Sequence, residues 1–448
     1  MSSEWEWVRL GDYCLKIGSG ATPKGGKDAY VDAGPFRLIR SQNIYNDGFA
    51  PAGLAYISED QAQKLDGAAV CAGDVLLNIT GDSVARVCLA PSAYLPARVN
   101  QHVAIIRPEQ GKLDSRFLRY FLASPYQQEL MLGLAAAGAT RNALTKVMIE
   151  GFKVPCPPLS NQQVISDVLT SLDDRIALLR ETNATLEAIA QALFKSWFVD
   201  FDPVRAKQQG RPPESLDPAI AALFPDDFEA TELGPAPKGW RVAALPDVFD
   251  FKEGPGIRNW QYTNSDEGTR FINIRCIQDG DLYLDTANRI TNEEANGKYA
   301  HFHLQPWDIV VSTSGTLGRS AIVRKEHLPL VLNTSVIRFR PISEISTFSF
   351  VYEYLISSEF LFKLESMASG SVQKNFGPMH LKQMKLVCPP VQIMSQFEKV
   401  ARPLFEKIVA NRAQAQTLAT LRDTLLPRLI SGQLRLPEAK SLIEEVTA

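Results

Sequence analysis

Two motifs in the chain resemble parts of nucleic-acid and nucleotide enzymes, and both lack a residue that their chemistry needs. A methyltransferase acting on an exocyclic amine of DNA needs an aromatic residue after a double proline, because that ring stacks on the flipped base. The double prolines here stand in the contexts CPPL, CPPV and RPPE. The stretch GSGATPKGGKD (18–28) fails the phosphate-loop spacing, since Asp28 rather than Ser or Thr follows Lys27.

Two further groups of residues suggest metal or nuclease chemistry, and neither is complete. His301 and His303 could present two metal ligands on one side of a strand, but no third ligand is near them in the sequence. The segment Pro225-Asp226-Asp227 lacks the downstream carboxylate and lysine of a nuclease core. The sequence gives no positive case for catalysis, so we expect a chain that is not itself an enzyme and that holds no metal or cofactor.

The composition is that of a globular protein with more than one domain. The chain has 448 residues, of which 45% are hydrophobic and 22% charged, and a single core rarely grows to that size. No apolar run is long enough to span a membrane, and the start lacks the core of a signal peptide. We therefore expect a cytoplasmic protein without a membrane segment, whose thiols are reduced and mostly buried. The cysteines are scattered without a C-x-x-C pair: Cys14, Cys71, Cys88, Cys156, Cys276 and Cys388.

The net charge of −3 at pH 7 is unevenly distributed along the chain. Residues 158–200 and 201–238 each carry −3, whereas the large segments on either side are close to neutral. A nucleic-acid partner would therefore have to be held by local clusters of Arg and Lys, because the overall charge supplies no attraction to phosphates.

An internal repeat organises the chain. GDVLLNITGDSVAR (73–86) returns as WDIVVSTSGTLGR (307–319), NQHVAIIRP (100–108) as NTSVIRFRP (333–341), and KVPCPP (153–158) as KLVCPP (385–390). All the matches are 232 to 235 residues apart and keep the same order. The chain is therefore two copies of one unit of about 200 residues, and a shared fold predicts a pseudo-two-fold axis between them.

Each copy mixes short strands with helices. LIRSQNI, DVLLNIT and HVAIIRP are rich in Val, Ile and Leu and are bounded by turn-forming residues, which is typical of strands. FLRYFLASPYQQELMLGLAA (117–136) has apolar residues at helical spacing with a break at Pro125, which predicts a pair of helices. We therefore expect an α+β protein with two similar mixed α/β domains, separated by two long antiparallel helices.

The helices are predicted from a heptad pattern that follows each CPP motif. The first stripe is Leu172, Ile176, Leu179, Asn183, Leu186, Ala190, Leu193 and Trp197. The second stripe is Leu404, Ile408, Asn411, Ala415, Leu418, Arg422, Leu425 and Leu429. Paired antiparallel as a coiled coil, the helices would form a stiff rod with a domain at each end. The alternative is an ordinary amphipathic helix lying on its own domain, and for Trp197 and Phe198 plain helix packing competes with a partner interface.

These patterns divide the chain into six segments. The connector, rich in Pro and Asp, is predicted to be extended and irregular with one short helix around 217–224. The segments are a first α/β domain (1–157), a long helix (158–200), the connector (201–238), a second α/β domain (239–389), a second long helix (390–432) and a tail (433–448).

The order of these segments resembles the specificity subunits of type I restriction-modification systems over essentially the whole chain. The opening WVRLGDY with its following GSGATPKGG is similar to the start of their first target-recognition domain. IAQALFKSWFVDFDPV (189–204) resembles the end of their central conserved region, and LRDTLLPRLISGQLRL (421–436) the end of their distal one. These last two stretches are the most specific part of the resemblance.

The resemblance implies that recognition of DNA and catalysis are carried out by different subunits. Each target-recognition domain reads one half of a split, asymmetric site in double-stranded DNA, and the helices set the length of the unread spacer. Two modification (methyltransferase) subunits bind the helical regions and carry S-adenosylmethionine. Up to two restriction (motor-nuclease) subunits, which use ATP and Mg²⁺, join the complex. Catalysis then belongs to the partners.

The base-reading residues are chosen on side-chain chemistry, because Arg can hold guanine and Asn or Gln can hold adenine through two hydrogen bonds. In the first domain the candidates are Lys24, Lys27, Arg40, Gln42, Asn43, Asn78, Thr80, Ser83, Arg86, Asn100, Gln101, Thr140, Arg141 and Asn142. In the second they are Arg258, Asn259, Gln261, Arg275, Ser312, Thr313, Ser314, Thr316, Arg319, Asn333, Thr334, Ser335, Gln373, Lys374 and Asn375.

Other readings stay open on the sequence alone. Any single candidate could be a solvated loop residue or a turn-capping residue, and Asn100 and Asn333 suit a turn that both copies share. The whole chain could be the recognition subunit of a related methylation-only or phage-defence system. It could also be a repeated scaffold that binds protein instead of DNA.

Overall fold

The computed structural model describes residues 5–137, 142–214, 216–367, 376–435, 437–439 and 441–442. The chain forms two compact units. The first unit comprises Met1–Leu178 and Ala415–Ala448, and the second comprises Leu179–Gln414. Within the described residues no helix is both long and apolar enough to cross a bilayer. The six cysteines are unpaired, and three of them are fully buried.

The first unit contains twelve strands among its described residues. They are β1 (Trp7–Arg9), β2 (Cys14–Ser19), β3 (Phe36–Ile39), β4 (Ile44–Tyr45), β5 (Gly48–Phe49), β6 (Ala55–Ile57), β7 (Ala69–Val70), β8 (Val75–Asn78), β9 (Val87–Leu89), β10 (Ala97–Val99), β11 (Val103–Pro108) and β12 (Lys153–Pro155). One antiparallel sheet has the order β2-β11-β8-β9, and a second, mixed sheet has the order β6-β3-β10-β7. The apolar side chains of Leu38, Leu76 and Ile105 are fully buried in the core of these sheets.

The helices of the first unit support the sheets. They are α1 (Glu59–Lys64), α2 (Ser115–Ala123), α3 (Pro125–Ala136) and α4 (Lys146–Glu150), followed by the long helix α5 (Leu159–Phe194), whose first half belongs to this unit. The predicted helix pair over 117–136 is confirmed. Asp114 caps α2, and α3 restarts because the Ser124 hydroxyl caps it and Pro125 suits a first helical position.

The connector is more ordered than predicted. A single π-helical turn, Lys195–Val199, ends the first long helix, and α6 (Asp202–Gln208), α7 (Pro218–Ala221) and a hairpin of β13 (Phe228–Thr231) with β14 (Gly234–Pro237) follow. The short helix expected around 217–224 is confirmed as α7, whereas the expectation that the rest of the connector is extended and irregular was wrong. Its aromatic residues, such as Phe224, are buried in the core of the second unit, so they order a composition that is by itself typical of loops.

The remaining elements of the second unit repeat those of the first. They are β15 (Arg241–Ala244), β16 (Phe249–Glu253), β17 (Thr269–Phe271), β18 (Ile277–Gln278), β19 (Asp281–Leu282), β20 (Asn288–Ile290), α8 (Asn292–Asn296), β21 (Ile309–Ser312), β22 (Ser320–Ile322), β23 (Leu330–Val331), β24 (Val336–Pro341), α9 (Phe348–Ile356), α10 (Ser358–Met367), α11 (Pro378–Gln383), β25 (Lys385–Cys388) and the long helix α12 (Val391–Ser431).

The two domains share one sheet topology. The antiparallel sheet β16-β24-β21-β22 corresponds to β2-β11-β8-β9, and β20-β17-β23 corresponds to β6-β3-β10, with the same parallel pair at its centre. In place of a strand equivalent to β7, a single bridge joins His303 to Val331. The internal repeat read from the sequence is therefore a repeat of the fold.

An aspartate–arginine pair lies at the same point of both antiparallel sheets and explains two of the repeated sequence positions. The fully buried Asp74 carboxylate accepts two hydrogen bonds from the Arg107 guanidinium, at 2.7 and 2.9 Å. It also accepts one from the backbone N–H of Cys71. Asp308 and Arg340 form the same fork in the second unit. Because two parallel bonds fix both planes, each fork locks one strand, β11 or β24, to the turn that precedes the neighbouring strand, β8 or β21.

Helices α5 and α12 pack against each other antiparallel. In the second unit the buried Asn183 and Asn411 side chains are hydrogen-bonded at 2.8 Å, while Phe194 contacts Phe397 with ring centroids 6.1 Å apart. The residue number rises along one helix as it falls along the other, which is the antiparallel pairing that the heptads predict. In the first unit Asp173 of α5 accepts a hydrogen bond from Arg422 of α12 at 2.6 Å.

Replacing Asp74 by alanine should lower the free energy of unfolding of the first unit by about 3 kcal/mol, because the Arg107 charge would lose its partner inside the fold. The matched control is D60A, since Asp60 is exposed and its ion pair with Lys64 lies on a helix surface, where such pairs contribute less than about 1 kcal/mol. Chemical denaturation followed by circular dichroism measures both. Equal effects of D74A and D60A would contradict a structural role for the fork.

Candidate nucleic-acid interface

A loop leaves the first long strand of each sheet at an equivalent glycine. The N–H of Gly20 donates to the Val103 carbonyl and the N–H of Gly254 to the Val336 carbonyl, both at 3.3 Å. A Cβ atom at Gly20 would lie 1.7 Å from the Val99 oxygen, and one at Gly254 would lie 2.2 Å from the Asn333 oxygen. Only glycine fits such a close approach, so both loops begin at a fixed place.

Asn100 and Asn333 hold the backbone beside these glycines. Their side chains are buried, and the Asn100 Oδ1 atom accepts from the His102 N–H at 3.1 Å. The Asn333 Oδ1 atom accepts from the Ile257 N–H at 3.2 Å. For this pair the alternative of a shared structural turn is the one that the geometry favours.

Three more candidates are internal to the fold, which corrects their assignment as base readers. Asn43 is fully buried, and its amide bonds the carbonyls of Ala50 and Ala52. The buried Asn78 amide donates to the Ser41 carbonyl at 2.9 Å. Gln261 donates to Glu294 and to the Tyr299 hydroxyl, both at 2.8 Å. These amides are occupied by the protein itself, so they are not available to base edges.

Among the candidates on the turn 312–319 of the second domain, some side chains are buried and others are exposed. Ser312 is fully buried and closes the turn 312–319 by donating to the Thr316 carbonyl and accepting from the Arg319 N–H. Thr313 and Ser314 are also buried, which removes them from a surface. The side chains of Thr316 and Arg319 on the same turn are exposed.

The exposed candidates define the surface that can meet a ligand. In the first domain these are Lys24, Gln42, Gln101 and Asn142. In the second domain they are Arg258, Asn259, Arg275, Thr316, Arg319 and Thr334. Thr80, Ser83, Arg86, Arg40 and Ser335 are half-buried. Arginine and amide side chains on anchored turns can donate to phosphates and to base edges.

His102 joins several first-domain candidates into one polar cluster that the sequence did not predict. Its Nδ1 atom lies 2.6 Å from the Thr80 hydroxyl, and its Nε2 atom lies 3.0 Å from the Gln101 amide. Gln101 in turn accepts a hydrogen bond from the Thr22 hydroxyl of the glycine-rich loop. The cluster connects that loop to the segment that follows β8. No motif in the sequence pointed to His102.

Aromatic rings lie under two of the predicted arginines, Arg40 and Arg86. The Arg40 guanidinium lies over the Tyr30 ring, 5.4 Å from its centroid, and both Arg40 and Gln42 donate to the Gly53 carbonyl. Arg86 lies 4.6 Å from the centroid of Tyr45, beside a cavity of about 260 Å³ that Arg119 and Arg422 also line. Arg86 therefore faces the junction with α12.

Some candidates fall outside what the structure describes. Thr140, Arg141, Gln373, Lys374 and Asn375 lie outside the described residues, and the Lys27 side chain is not described. Across the described part of the chain, no group of three or more His, Cys, Asp or Glu residues is arranged to hold a metal ion.

The heptad residues are buried, and the two aromatic residues at the end of the first stripe are part of the core. Trp197 and Phe198 are only 5% and 8% exposed, and both rings contact Phe397. Of the two alternatives that the sequence left open for these residues, packing of the helix into the core is the one that these contacts favour. The buried heptad positions are Leu172, Ile176, Leu179, Ile408, Leu418, Leu425 and Leu429, and those packed against the core while partly exposed are Leu186, Leu193 and Leu404.

An ionic network joins the first domain to both helices within the first unit. The Asp173 carboxylate accepts from Arg119 at 3.0 Å, from the Tyr120 hydroxyl at 2.7 Å and from Arg422 at 2.6 Å. Burial acts to raise the pKa of Asp173, but the two guanidinium groups and the hydroxyl outweigh it and lower that pKa. Asp173 is therefore an anion held between two cations.

The equivalent junction of the second unit contains a buried carboxyl group, that of Glu353. Arg412 of α12 donates to Glu187 at 2.7 Å and to the Gly280 carbonyl at 2.6 Å. Glu353 on α9 is buried, and burial together with the nearby Glu187 charge raises the pKa of Glu353 to about 8. Near neutral pH the folded chain keeps this group uncharged.

The two domains thus define a protein with a duplicated α/β reader and paired helices, and comparisons with known proteins identify its family. The family model of the type I restriction modification DNA specificity domain matches residues 2–188 and 237–408. The chain therefore belongs to this family, as the sequence resemblance predicted.

Two curated relatives and one solved structure illustrate the similarity. The type I restriction enzyme HindI specificity subunit of Haemophilus influenzae is 27% identical, covering 96% of this chain and 100% of that protein. The MjaIX specificity subunit of Methanocaldococcus jannaschii is 25% identical over 78% of this chain and 77% of its own. The crystal structure of the S subunit from M. genitalium shares the fold with a TM-score of 0.55 at 16% identity, covering 96% of both chains.

The Glu353 carboxyl group should make the stability of the second unit depend on pH. Its pKa is higher in the folded chain than in the unfolded chain, so the folded state binds the extra proton and stability falls as pH rises from about 4.5 to about 8. E353Q should remove this part of the slope, as measured by urea unfolding at a series of pH values. E359Q, which changes a half-exposed carboxylate on the next helix, should keep it. An unchanged slope in E353Q would refute the assignment.

Proposed function

We propose that this chain is the DNA-reading specificity subunit of a type I restriction-modification complex and that each domain reads one half of a split, asymmetric site. The observation that carries the proposal is a pair of domains with one topology and different exposed side chains on equivalent loops. The first loop presents Lys24 and the second presents Arg258 and Asn259. Two similar domains that carry different readers suit two half-sites of different sequence.

Positioning and reading are separate tasks at such an interface. Lysine and arginine side chains such as Lys24 and Arg319 suit contacts with phosphates, which place the protein without reading sequence. Amide side chains such as Gln101 and Asn259 suit pairs of hydrogen bonds with adenine. The exposed candidate residues around Gly20 form the proposed contact surface for the first half-site, and those around Gly254 form the one for the second.

Catalysis in this proposal belongs to partner subunits. Two modification subunits with S-adenosylmethionine would methylate the site, and up to two restriction subunits using ATP and Mg²⁺ would cleave DNA, all in the cytoplasm. The family assignment supports this division, and so does the weak charge of the chain. A net charge of −3 gives little sequence-independent attraction to phosphates, so a partner must supply part of the affinity.

Selection from a duplex library with a randomised segment tests the function directly. The complex of this chain with its modification subunit should enrich a sequence with two unequal specified parts and an unspecified spacer. Enrichment of one continuous motif, or of no motif, would overturn the proposal. A preparation that captures protein but no DNA would favour a protein-binding scaffold.

The affinity for DNA should depend on the modification subunit. The isolated chain should bind its selected duplex at least about tenfold more weakly than the complex does, because too few cationic contacts remain without the partner. Fluorescence anisotropy titrations at two salt concentrations measure this difference. Tight binding by the lone chain that persists at high salt would contradict it.

A further inference from the structure

One aromatic side chain of the second domain is exposed to an unusual degree. Trp260 is 80% exposed, which is the highest value among the large hydrophobic side chains of the described residues. By contrast, two other tryptophans, Trp197 and Trp240, are almost completely buried. Leaving an indole in water forgoes the stabilisation that burial of so large an apolar surface gives. A ligand that covers the ring would recover it.

The turn that carries Trp260 is rigid. Residues Asn259–Gln261 form a single 3₁₀ turn, in which the Gln261 N–H donates to the Arg258 carbonyl at 2.9 Å. The Tyr262 N–H donates to the Asn259 carbonyl at 3.1 Å. The Gln261 side chain closes the turn by accepting from the Arg258 N–H at 3.0 Å. Trp260 therefore projects from a fixed backbone, which lowers the entropic cost of binding.

Both ends of this turn are anchored in the domain. On one side Ile257 is 5% exposed and is held by the Asn333 side chain. On the other side Gln261 is 6% exposed and bonds Glu294 and Tyr299. Only the three residues between these anchors are exposed: Arg258, Asn259 and Trp260. The fold thus presents one aromatic ring beside one cation and one amide.

The first domain lacks this aromatic residue at the equivalent place. Its loop also starts at a glycine in close contact with the strand behind it, yet residues 21–29, ATPKGGKDA, contain no aromatic residue. The loop length and the charged residue types also differ between the copies. An exposed ring in one copy alone points to a contact that only one half-site requires.

We propose that Trp260 inserts its indole into the base stack of the second half-site and stacks on a base there, while Arg258 and Asn259 hold the adjacent base edges or phosphates. The proposal rests on the DNA-reading function above and adds a specificity-determining residue to it. Apolar side chains that wedge between bases unstack a step and bend the duplex. Because some base steps open more readily than others, such a wedge selects sequence without a hydrogen bond.

The residues around Trp260 are compatible with contacts to DNA. Arg258 and Asn259 precede the ring, and the exposed Thr334 belongs to the segment whose N–H donates to the Pro255 carbonyl at the base of the loop. Protein interfaces also combine Trp with Arg, so the choice of DNA rests on the match of this domain to the DNA specificity family. A nucleic-acid groove combines cationic and amide contacts with aromatic stacking.

Binding by the complex of this chain with its modification subunit tests the proposal, using the duplex enriched in the library selection. W260A should weaken binding by about 5- to 150-fold, the range that loss of one aromatic–base stack gives, and W260F should retain most of the affinity. The matched control is F362A, because Phe362 is 71% exposed on α10 of the same domain. F362A should bind DNA as the wild type does.

A structural signal separates stacking from a general loss of affinity. With 2-aminopurine placed at each position of the second half-site in turn, binding of the wild-type complex should change the fluorescence at adjacent positions. At saturating W260A that change should be absent, while positions in the first half-site respond as before. Circular dichroism and size-exclusion chromatography check that W260A folds and assembles.

The outcomes are distinct. If the wild-type complex selects a split site while W260A binds it equally well with an unchanged fluorescence pattern, the stacking proposal is overturned and the DNA-reading function stands. If W260A loses the modification subunit instead, Trp260 belongs to a protein interface and the proposal is again overturned. A wild-type complex that selects no split site would overturn the DNA-reading function itself.

Discussion

The packing of α5 against α12 is the constraint on which both units depend. Each unit contains about half of each helix. The first unit therefore combines segments from both ends of the chain, and the second combines the two ends of its own continuous stretch. The hydrogen-bonded pair of Asn183 and Asn411 is buried in this packing, where each amide needs a partner. A shift of one helix along the other would separate them, so the pair fixes the register of the helices, as buried asparagines do in coiled coils.

The two domains share the contacts that hold their strands and loops, and they differ in the exposed side chains that those loops present. The forks Asp74–Arg107 and Asp308–Arg340 and the close approaches at Gly20 and Gly254 recur with nearly the same geometry. These contacts hold strands and loop bases, so their residues are restricted by packing. The side chains beyond them meet solvent and differ between the copies. One fold can in this way carry two recognition surfaces.

Much of the fold could be predicted from the sequence, because repetition and periodicity are visible in the order of residues. The helix pair after 117 and the two heptad stripes are local patterns, and the repeat is visible when the two halves of the sequence are compared; the structure contains each of them. The ordered connector and the burial of Trp197 and Phe198 could not be predicted in the same way. Both depend on contacts among residues far apart in the chain, such as Phe198 with Phe350.

The candidate surface was harder to predict for the same reason. Side-chain type does not distinguish an amide that faces solvent from one, like Asn43 or Gln261, that bonds the protein's own backbone and side chains. The exposed Trp260 was overlooked because an aromatic residue in a sequence suggests a core position. Its exposure follows from anchors contributed by Asn333 and Glu294, which are distant in sequence.

In this account, the length of the two long helices sets the length of the spacer between the half-sites. Seven residues inserted between Leu178 and Leu179, together with seven between Gln414 and Ala415, would lengthen both helices by about 10 Å. At about 3.4 Å per base pair, mapping of methylated adenines across a host genome should then find the spacer longer by about three base pairs, with both specified halves unchanged. Methylation retained at the original spacing would contradict a helix pair that sets the distance between the readers.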